Sequence, residues 1–324
     1  MNRDHRLTRQ VEDYISFKQS LGYQITIESA ELRRFAKFAK DKCHEGSLTI
    51  ELALDWASEK AHYSQWYKAR RLETVHSFAK YAFAVDVETQ VPRTGVFGKC
   101  HGRVTPYIYS NDEVLLLMEK ANELLSPDGL RAKATNIALG LLWSTGIRVS
   151  ELCRLIRTDI NFNKMEIYIR DTKFHKYRNI PVQSTVINAL KDYANYRDSL
   201  YPNSSDPHFF LATGGKMLSL RNLEYSFTVI RASLLSEGKK SWDNRPPRLY
   251  DLRHTFACNT IIRWFKEGED INHHIYLLST YLGHVKPNDT YWYLTGTPEL
   301  LTIATKQFEN YTHGLEMEVI YAKE

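Results

Sequence analysis

The chain has 324 residues, of which 43% are hydrophobic and 25% are charged, with a formal net charge of +5. This composition is ordinary for a globular protein, and the length suffices for two domains. The longest apolar stretches are too short to cross a bilayer, and the mixed charges at the N-terminus are unlike a signal peptide. We therefore expect a cytoplasmic protein without a membrane partner, and the small basic excess permits a polyanionic partner.

The four cysteines are scattered and form no Cys-x-x-Cys pair. Cys43 and Cys100 are each followed by histidine, but adjacent ligands lack the spacing of a structural zinc site. Free, reduced thiols are therefore favoured over zinc. Cys153 and Cys258 fall within apolar helical patterns and are predicted to be core residues.

Residues 1–90 carry apolar side chains at helical spacing and predict an all-helical domain. Three cations recur along one stripe of the segment 31–42, and two more lie in the segment 65–83, where Trp66 and Leu72 are predicted to be buried. Solvated helix faces would explain either stripe alone, but two in one small domain favour contacts with DNA phosphates. The predicted DNA-binding side chains here are Arg33, Lys37, Lys40, Lys68 and Arg71.

Residues 91–106 contain two prolines, three glycines and few periodic apolar positions, which predicts a linker between two domains. Helical patterns then follow near 112–124, 131–143 and 147–157.

A β-hairpin interrupts these helices. In MEIYIR, Met165, Ile167 and Ile169 are predicted to share one face. After a polar turn the chain returns as RNIPV, and helical patterns resume from about residue 183. The fold is therefore predicted to be mainly α with a small β component, with an all-helical domain followed by a mixed α+β domain.

Two stretches around this hairpin carry candidate chemistry. In STGIRVSELCRL, Arg148 follows a glycine turn beside a buried helical face, and Glu151 is spaced to orient its guanidinium, unless the two form only a surface ion pair. A lysine at the hairpin tip is a candidate proton donor. The cations that could reach from this tip into a groove, if the turn is not simply solvated, are Lys173, Lys176 and Arg178.

The stretch RPPRLYDLRHTFACN, residues 245–259, predicts the start of a helix. Asp251 is the predicted N-cap, which puts Arg253 and His254 at the helix N-terminus, where backbone N–H groups favour an anion. An arginine paired with a local carboxylate is the alternative.

The stretch YLGHVKPNDTYWYL, residues 281–294, predicts a helix that Gly283 ends, so that His284 is exposed. Tyr291 and Tyr293 follow on the next helix. They lie about 200° apart around it, so only one of them can face a given cleft. Bulky aromatic residues are usually packing residues, and a nucleophilic tyrosine is the alternative.

The order and spacing of these stretches resemble the tyrosine recombinase, or phage integrase, family, most specifically over residues 140–295. The matching features are Arg in TGxR, a lysine on a hairpin, the segment DLRHTF, the segment LGH and a tyrosine nine residues after that histidine. The resemblance implies a core-binding domain at 1–90, a linker at 91–106 and a catalytic domain at 107–298, with duplex DNA held between the two domains.

The resemblance also implies roles for matching side chains. Arg148 and Arg253 correspond to the two catalytic arginines, and Glu151 to the acidic residue that supports the first. Lys173 corresponds to the lysine that protonates the leaving oxygen, and His284 to a hydrogen-bond donor to the phosphate.

By its spacing Tyr293 corresponds to the nucleophile, which leaves Tyr291 as a packing or flanking residue. The chain departs from the family at Tyr250, where a histidine is usual. A phenol, with a reference pKa of about 10, is a poor base, so Tyr250 is predicted to position groups through hydrogen bonds. His254 is a less favoured proton acceptor than water or the phosphate.

The implied partners are double-stranded DNA recombination sites and further copies of the chain in a tetramer on DNA. Association with a bacterial nucleoid is expected, and an accessory directionality factor is a further candidate. No metal or nucleotide cofactor is implied. The tail at 299–324 is predicted to dock on a neighbouring protomer, with packing on its own domain as the alternative, and the length leaves no room for an arm-binding domain.

The sequence therefore predicts a site-specific DNA recombinase that works through a covalent 3′-phosphotyrosine. A type IB topoisomerase-like nicking and closing enzyme is one alternative, because its chemistry is the same. A DNA-binding protein that has lost cleavage is the other, and only the missing histidine argues for it.

Overall fold

In the computed structural model of this chain, the described residues are 6–100, 102, 105–170, 177–238, 246–284, 286, 288–295, 300, 302 and 305. The chain divides into two compact units, Met1–Val104 and Thr105–Glu324. Each unit has its own apolar core.

The described part of the first unit is built from helices. They are α1 Arg6–Ser20, α2 Thr26–Asp41, α3 Ile50–Ala57 and α4 Gln65–Val85. The hydroxyl of Thr49 caps α3 by accepting a hydrogen bond from the Leu52 amide, and Ser64 caps α4 in the same way from Tyr67. The apolar faces of these helices meet in one core.

Arg71 lies inside this unit, so the prediction that it contacts DNA from a basic surface is wrong. Its side chain is 3% exposed and pairs with Glu59 at 2.8 Å. Its guanidinium carbon lies 3.5 Å from the centre of the Trp56 ring. The reason is helical register, because Arg71 is four residues before Val75 and seven before Phe78, both of which are buried.

The other cations of α2 and α4 that the sequence singled out are exposed or partly exposed: Arg33, Lys37, Lys40 and Lys68. Arg33 pairs with Glu12 at 2.8 Å on the surface. Trp66, predicted to be buried, is 51% exposed, since it lies in the first turn of α4.

The second unit is a mixed α+β domain. Its helices among the described residues are α5 Asn111–Asn122, α6 Leu130–Thr145, α7 Val149–Arg154, α8 Ser184–Leu200, α9 Leu220–Ser236, α10 Leu249–Glu267, α11 Ile271–Leu282 and α12 Asn288–Thr295. A 3-10 turn, Arg157–Asp159, follows α7. Helix α6 packs against α5, α8 and α10, and α10 packs against α11 and α12.

Two small antiparallel sheets complete this unit. The first contains β1 Ile160–Asn161, β2 Glu166–Ile169 and β3 Arg178–Pro181 in that order, and the second contains β4 Leu211–Ala212 and β5 Lys216–Met217. Ile167 on β2 pairs with Ile180 on β3, and both are buried. Met165, predicted to share their face, is 43% exposed, because it belongs to the turn before β2 and has a φ of 54°.

Two apolar clusters form the core of the second unit. One surrounds α6 and contains Cys153, and the other joins α10, α11 and α12 and contains Cys258, so both cysteines are core residues as predicted. Leu300 is buried in the second cluster. At this residue the 299–324 segment packs on its own domain, and apart from residues 302 and 305 the rest of the segment lies outside the described residues.

Cys43 and Cys100 are free thiols. Within the described ranges, no group of three or more His, Cys, Asp or Glu side chains is arranged to hold a metal ion. A helix with the length and apolar character needed to span a bilayer is also missing from the described part of the chain.

Candidate active site

A glycine brings the end of α6 against α10. Gly146 ends the helix with a φ of +62°, in the left-handed region, and a Cβ at this position would lie 2.5 Å from the ring of Phe256. A larger residue would therefore meet both backbone strain and a steric clash. Two residues later, Arg148 is the N-cap of α7, so its side chain leaves from a fixed turn.

Arg148 is held from two sides. Its Nη1 donates a hydrogen bond to Oε1 of Glu151 at 2.7 Å, and its backbone amide donates to Oε2 of the same carboxylate at 2.9 Å. Its Nη2 donates to the carbonyl oxygen of Gly283, just after α11, at 2.9 Å. The side chain is 27% exposed, so an anion can still reach it.

Arg253 on α10 extends its side chain into the same site. Its Nη1 donates to the carbonyl of Gly146 at 2.8 Å, and its Nη2 lies 2.7 Å from the carbonyl of Leu282 and 3.0 Å from Nε2 of His284. Its side chain is buried, and its Nε lacks a hydrogen-bond partner among the described residues. Burial and then the charge of nearby Arg148 lower the pKa of this guanidinium.

The contacts of His284 define its tautomer. A guanidinium can only donate hydrogen bonds, so Nε2 of His284 accepts the bond from Arg253. The ring proton of the neutral histidine is then on Nδ1, which donates to Oγ1 of Thr290 at 2.6 Å. Thr290 on α12 is fully buried, so it fixes the orientation of the imidazole.

Tyr293 on α12 is buried against these groups. It is 2% exposed, and its ring lies 6.2 Å from the ring of His284, nearly parallel to it. Burial raises the pKa of Tyr293 to about 12, although the Arg253 guanidinium partly opposes that shift. Tyr291 points elsewhere and meets the ring of Tyr276 at 6.3 Å.

Helix α10 begins slightly earlier than predicted. Arg248 is the N-cap, and Asp251 lies at the third helical position, where its carboxylate accepts a hydrogen bond from the Arg248 amide at 2.7 Å. The prediction of Asp251 as N-cap is therefore wrong by three residues. Tyr250 in this first turn is 40% exposed and stands edge-on to the His254 ring at 4.9 Å. The His254 ring is 5.4 Å from that of Tyr293.

Glu151 binds a second arginine as well. Arg178 donates from Nη1 to Oε1 at 3.2 Å and from Nη2 to Oε2 at 2.8 Å. Burial would raise the pKa of the Glu151 carboxyl, but hydrogen bonds and charges from Arg178 and Arg148 outweigh it and lower the pKa to about 2. Arg178 opens β3, and its side chain is only 11% exposed, so the structure does not support its prediction as a DNA contact on a hairpin tip.

The low pKa of Glu151 makes part of the folding stability depend on pH. A carboxyl whose pKa falls from 4.5 to about 2 on folding contributes stability that is complete above pH 4.5 and is lost as the pH falls toward 2. Over that window we expect a loss of roughly 3 kcal/mol in the free energy of unfolding. Urea titrations at several pH values should show this component in the wild type and not in Glu151→Gln, and identical pH profiles would contradict the assignment.

The structure thus gathers one set of predicted site residues in one place: Arg148, Glu151, Tyr250, Arg253, His254, His284 and Tyr293. Lys173 and Lys176 lie outside the described residues. The sequence did not identify Thr290, because no spacing pattern marks a partner six residues beyond His284. The inward position of Arg178 could have been inferred, since it lies two residues before buried Ile180 and therefore on the same face of β3.

Comparison with known proteins finds relatives of this chain. The phage integrase family matches residues 108–299. A protein of Sinorhizobium fredii named as integrase/recombinase y4rB is 34% identical over 305 residues, covering 92% of this chain and 96% of its own. The tyrosine recombinase XerC of Chlamydia trachomatis serovar L2 is 29% identical, covering 80% of this chain and 75% of its own.

Solved structures share the fold. A Tn1549 transposon integrase in complex with transposon right end DNA has a TM-score of 0.63 at 15% identity, covering 93% of this chain and 98% of that one. A XerH site-specific recombinase bound to a palindromic difH substrate has a TM-score of 0.61 at 18% identity, covering 93% and 85%.

The chain therefore belongs to the phage integrase family. Within it, the chain is a tyrosine-type site-specific DNA recombinase. The relatives do not favour the nicking and closing enzyme or the cleavage-deficient binding protein.

Proposed function

We propose that Tyr293 is the nucleophile of this recombinase and that Arg148, Arg253 and His284 bind the phosphate that it attacks. The proposal rests on the excess of positive charge beside the tyrosine. Arg148 and Arg178 both pair with the carboxylate of Glu151, whereas Arg253 binds the backbone carbonyl of Gly146. Among the described side chains of the site, these three guanidinium groups therefore stand against the single carboxylate of Glu151. Two positive charges remain uncompensated there, which suits a DNA phosphodiester.

The reaction proceeds in two balanced steps. The Tyr293 oxygen attacks phosphorus, the bond from phosphorus to the 5′ oxygen breaks, and a 3′-phosphotyrosine forms while the 5′ oxygen takes a proton. In the second step a 5′ hydroxyl attacks the same phosphorus and releases Tyr293. The two arginines stabilise the charge on the non-bridging oxygens in both transition states.

The hydrogen bonds of the DNA-free site define what must change when DNA binds. The Nη groups of Arg253 now donate to backbone carbonyls and to His284, while its Nε is buried beside them. A phosphate oxygen is a stronger acceptor than a carbonyl, so it can replace these partners. For His284 to donate from Nε2 to the phosphate, it must take up a proton or change tautomer.

The burial of Tyr293 implies a movement. At 2% exposure its hydroxyl cannot reach a phosphate on DNA, so the proposal requires α12 to shift when DNA binds. With a pKa of about 12 the phenol is protonated at neutral pH, so attack requires that its proton be removed. We propose water or the phosphate as the acceptor of its proton.

The proposed partners are DNA recombination sites and further copies of the chain. A lambda integrase tetramer bound to a Holliday junction shares the fold, with a TM-score of 0.57 at 17% identity, and supports a tetramer as the working form. We propose that exposed cations of α2 and α4 contact DNA phosphates: Arg33, Lys37, Lys40 and Lys68. A directionality factor and an association with the nucleoid remain proposals.

The direct test is to recover DNA joined covalently to the protein. The purified chain is incubated with genomic fragments from its host, denatured, and separated from free DNA, and the retained DNA is sequenced. We expect fragments that share one site, and mass spectrometry should find the nucleotide remnant on the 288–295 peptide. Adducts on another peptide would overturn the assignment of Tyr293, and adducts without a shared site would favour a nicking and closing enzyme.

The role proposed for Lys173 can be tested through the leaving group. If Lys173 protonates the 5′ oxygen, Lys173→Ala should be slow on ordinary DNA and be restored when that oxygen is replaced by sulfur, which leaves without a proton. Single-turnover cleavage of matched oxygen and sulfur substrates measures the difference. Equal slowness on both substrates would remove Lys173 from this role and make Lys176 the next candidate.

Tyr250 is expected to contribute a hydrogen bond rather than a proton transfer. Tyr250→Phe should slow cleavage by about 1–2 kcal/mol in activation free energy, the contribution of one hydrogen bond, and Tyr250→His should remain active. Cleavage rates at saturating DNA provide the measurement, with DNA affinity as the control. Complete inactivity of the phenylalanine variant, with binding intact, would instead assign proton transfer to the hydroxyl.

A further inference from the structure

The base of the β2–β3 hairpin is connected to the candidate active site through Arg178. This residue opens β3 and pairs with Ile169 of β2, which is buried. Its guanidinium binds both oxygens of Glu151 at 3.2 and 2.8 Å, with the two side chains 11% and 1% exposed. A two-point contact of this kind fixes the angle as well as the position of the carboxylate.

The same carboxylate orients Arg148. Oε1 of Glu151 accepts from Nη1 of Arg148 at 2.7 Å and also from Arg178. With Arg178 removed, the carboxylate would keep its two bonds to Arg148 but lose the two to Arg178 that hold it from the other side. The orientation of the Arg148 guanidinium therefore depends on a residue that lies 30 positions later in the chain.

Gly283 joins the two arginines from the other side. Its carbonyl accepts from Nη2 of Arg148 at 2.9 Å, and a Cβ on Gly283 would lie 2.9 Å from Nη1 of Arg178. The guanidinium of Arg178 thus packs directly on the turn that carries the acceptor of Arg148. Arg178 consequently restricts the position of both Nη groups of Arg148, of Nη1 through Glu151 and of Nη2 through Gly283.

We propose that Arg178 is a positioning residue that sets the orientation of the Arg148 guanidinium through Glu151 and Gly283. This inference rests on the proposed function, in which Arg148 binds the scissile phosphate. The contacts of the Arg178 guanidinium on which the proposal rests are with Glu151 and the turn at Gly283, so in this proposal Arg178 acts through Arg148. Its effect should consequently appear in the rate of cleavage and not in the affinity for DNA.

The first test is a double-mutant cycle. Arg178→Lys keeps the charge but cannot reproduce the two-point contact, so cleavage at saturating DNA should fall about 10- to 100-fold while DNA affinity changes less than about twofold. In an Arg148→Lys background the same change should have little further effect, because the two side chains act as one unit. Effects that simply multiply would mean that Arg178 does not act through Arg148.

A matched control is present on the same hairpin. Arg170, just after β2, donates from Nε to Asp159 at 2.6 Å, and within the described part of the chain it contacts neither Glu151 nor Arg148. Arg170→Lys should leave the cleavage rate near that of the wild type. If Arg178→Gln weakens DNA binding and lowers its salt dependence by about one ion while Arg178→Lys does not, Arg178 is a phosphate contact and the proposal fails.

A spectroscopic measurement separates this inference from the proposed function. In arginine-labelled protein, the Arg148 guanidinium protons, assigned with Arg148→Lys, should exchange slowly in the wild type and rapidly in Arg178→Lys. This result does not require cleavage, so it stands even if the wild type forms no adduct through Tyr293. Unchanged Arg148 signals in Arg178→Lys would overturn the inference whatever the activity of the wild type.

Discussion

Replacing Tyr293 by phenylalanine should abolish covalent protein–DNA adducts while leaving DNA affinity almost unchanged. The substitution removes one hydroxyl from a ring that is 2% exposed, so the packing of α12 on α10 and α11 is retained. Without the hydroxyl no phosphotyrosine can form, and the expected loss is complete within the limit of detection. Cleavage of a nicked suicide substrate, resolved on a denaturing gel, measures it.

Tyr291→Phe is the matched control, since it makes the same change two residues away on the same helix. Tyr291 contacts Tyr276 and not the arginines, so its variant should cleave at nearly the wild-type rate. If the two variants exchanged these behaviours, the register of the proposed nucleophile would be wrong.

Substitution of either phosphate-binding arginine should have the next largest effect. Arg253→Ala and Arg148→Ala should each slow cleavage about a thousandfold or more, which corresponds to several kcal/mol of transition-state stabilisation. Arg253→Ala also removes the hydrogen bonds that Arg253 donates to the carbonyls of Gly146 and Leu282. Single-turnover rates at saturating DNA measure the loss.

Because Arg253→Ala could unfold the domain, Arg253→Lys serves as a second variant that retains the charge. It should remain folded and still be slow, since an ammonium group cannot make the same set of directed hydrogen bonds. Arg263→Ala, at an exposed position ten residues later on α10, controls for loss of a positive charge. A folded Arg253→Lys protein that cleaved as fast as the wild type would contradict the assigned role.

Helical periodicity predicted most helices of both units, because buried faces recur every three or four residues. Two of the errors share a cause, which is the placement of a charged arginine at the surface. Their charge favours a surface position for Arg71 and Arg178, although each lies on the same face of its element as buried apolar residues. Each pairs with a carboxylate outside its own element, Glu59 for Arg71 and Glu151 for Arg178.

The burial of Tyr293 could not be predicted from the sequence. Spacing distinguished it from Tyr291, but its cover comes from side chains of α10 and α11 that only the tertiary fold assembles. The tautomer of His284 could not be predicted either, because it follows from the distances of its ring nitrogens to Arg253 and Thr290 and from nothing in the local sequence.

Each of the two arginines donates to a backbone carbonyl that belongs to a different sequence segment. Arg148, beside Gly146, binds the carbonyl of Gly283, whereas Arg253 binds the carbonyl of Gly146. A chimera that takes only one of these segments from a relative would combine side chains and turns that did not evolve together. Transplanting the segments around residues 146, 253 and 283 as a set should therefore preserve catalysis better than transplanting any one of them. A substitution in one segment consequently restricts the substitutions that the other two segments tolerate.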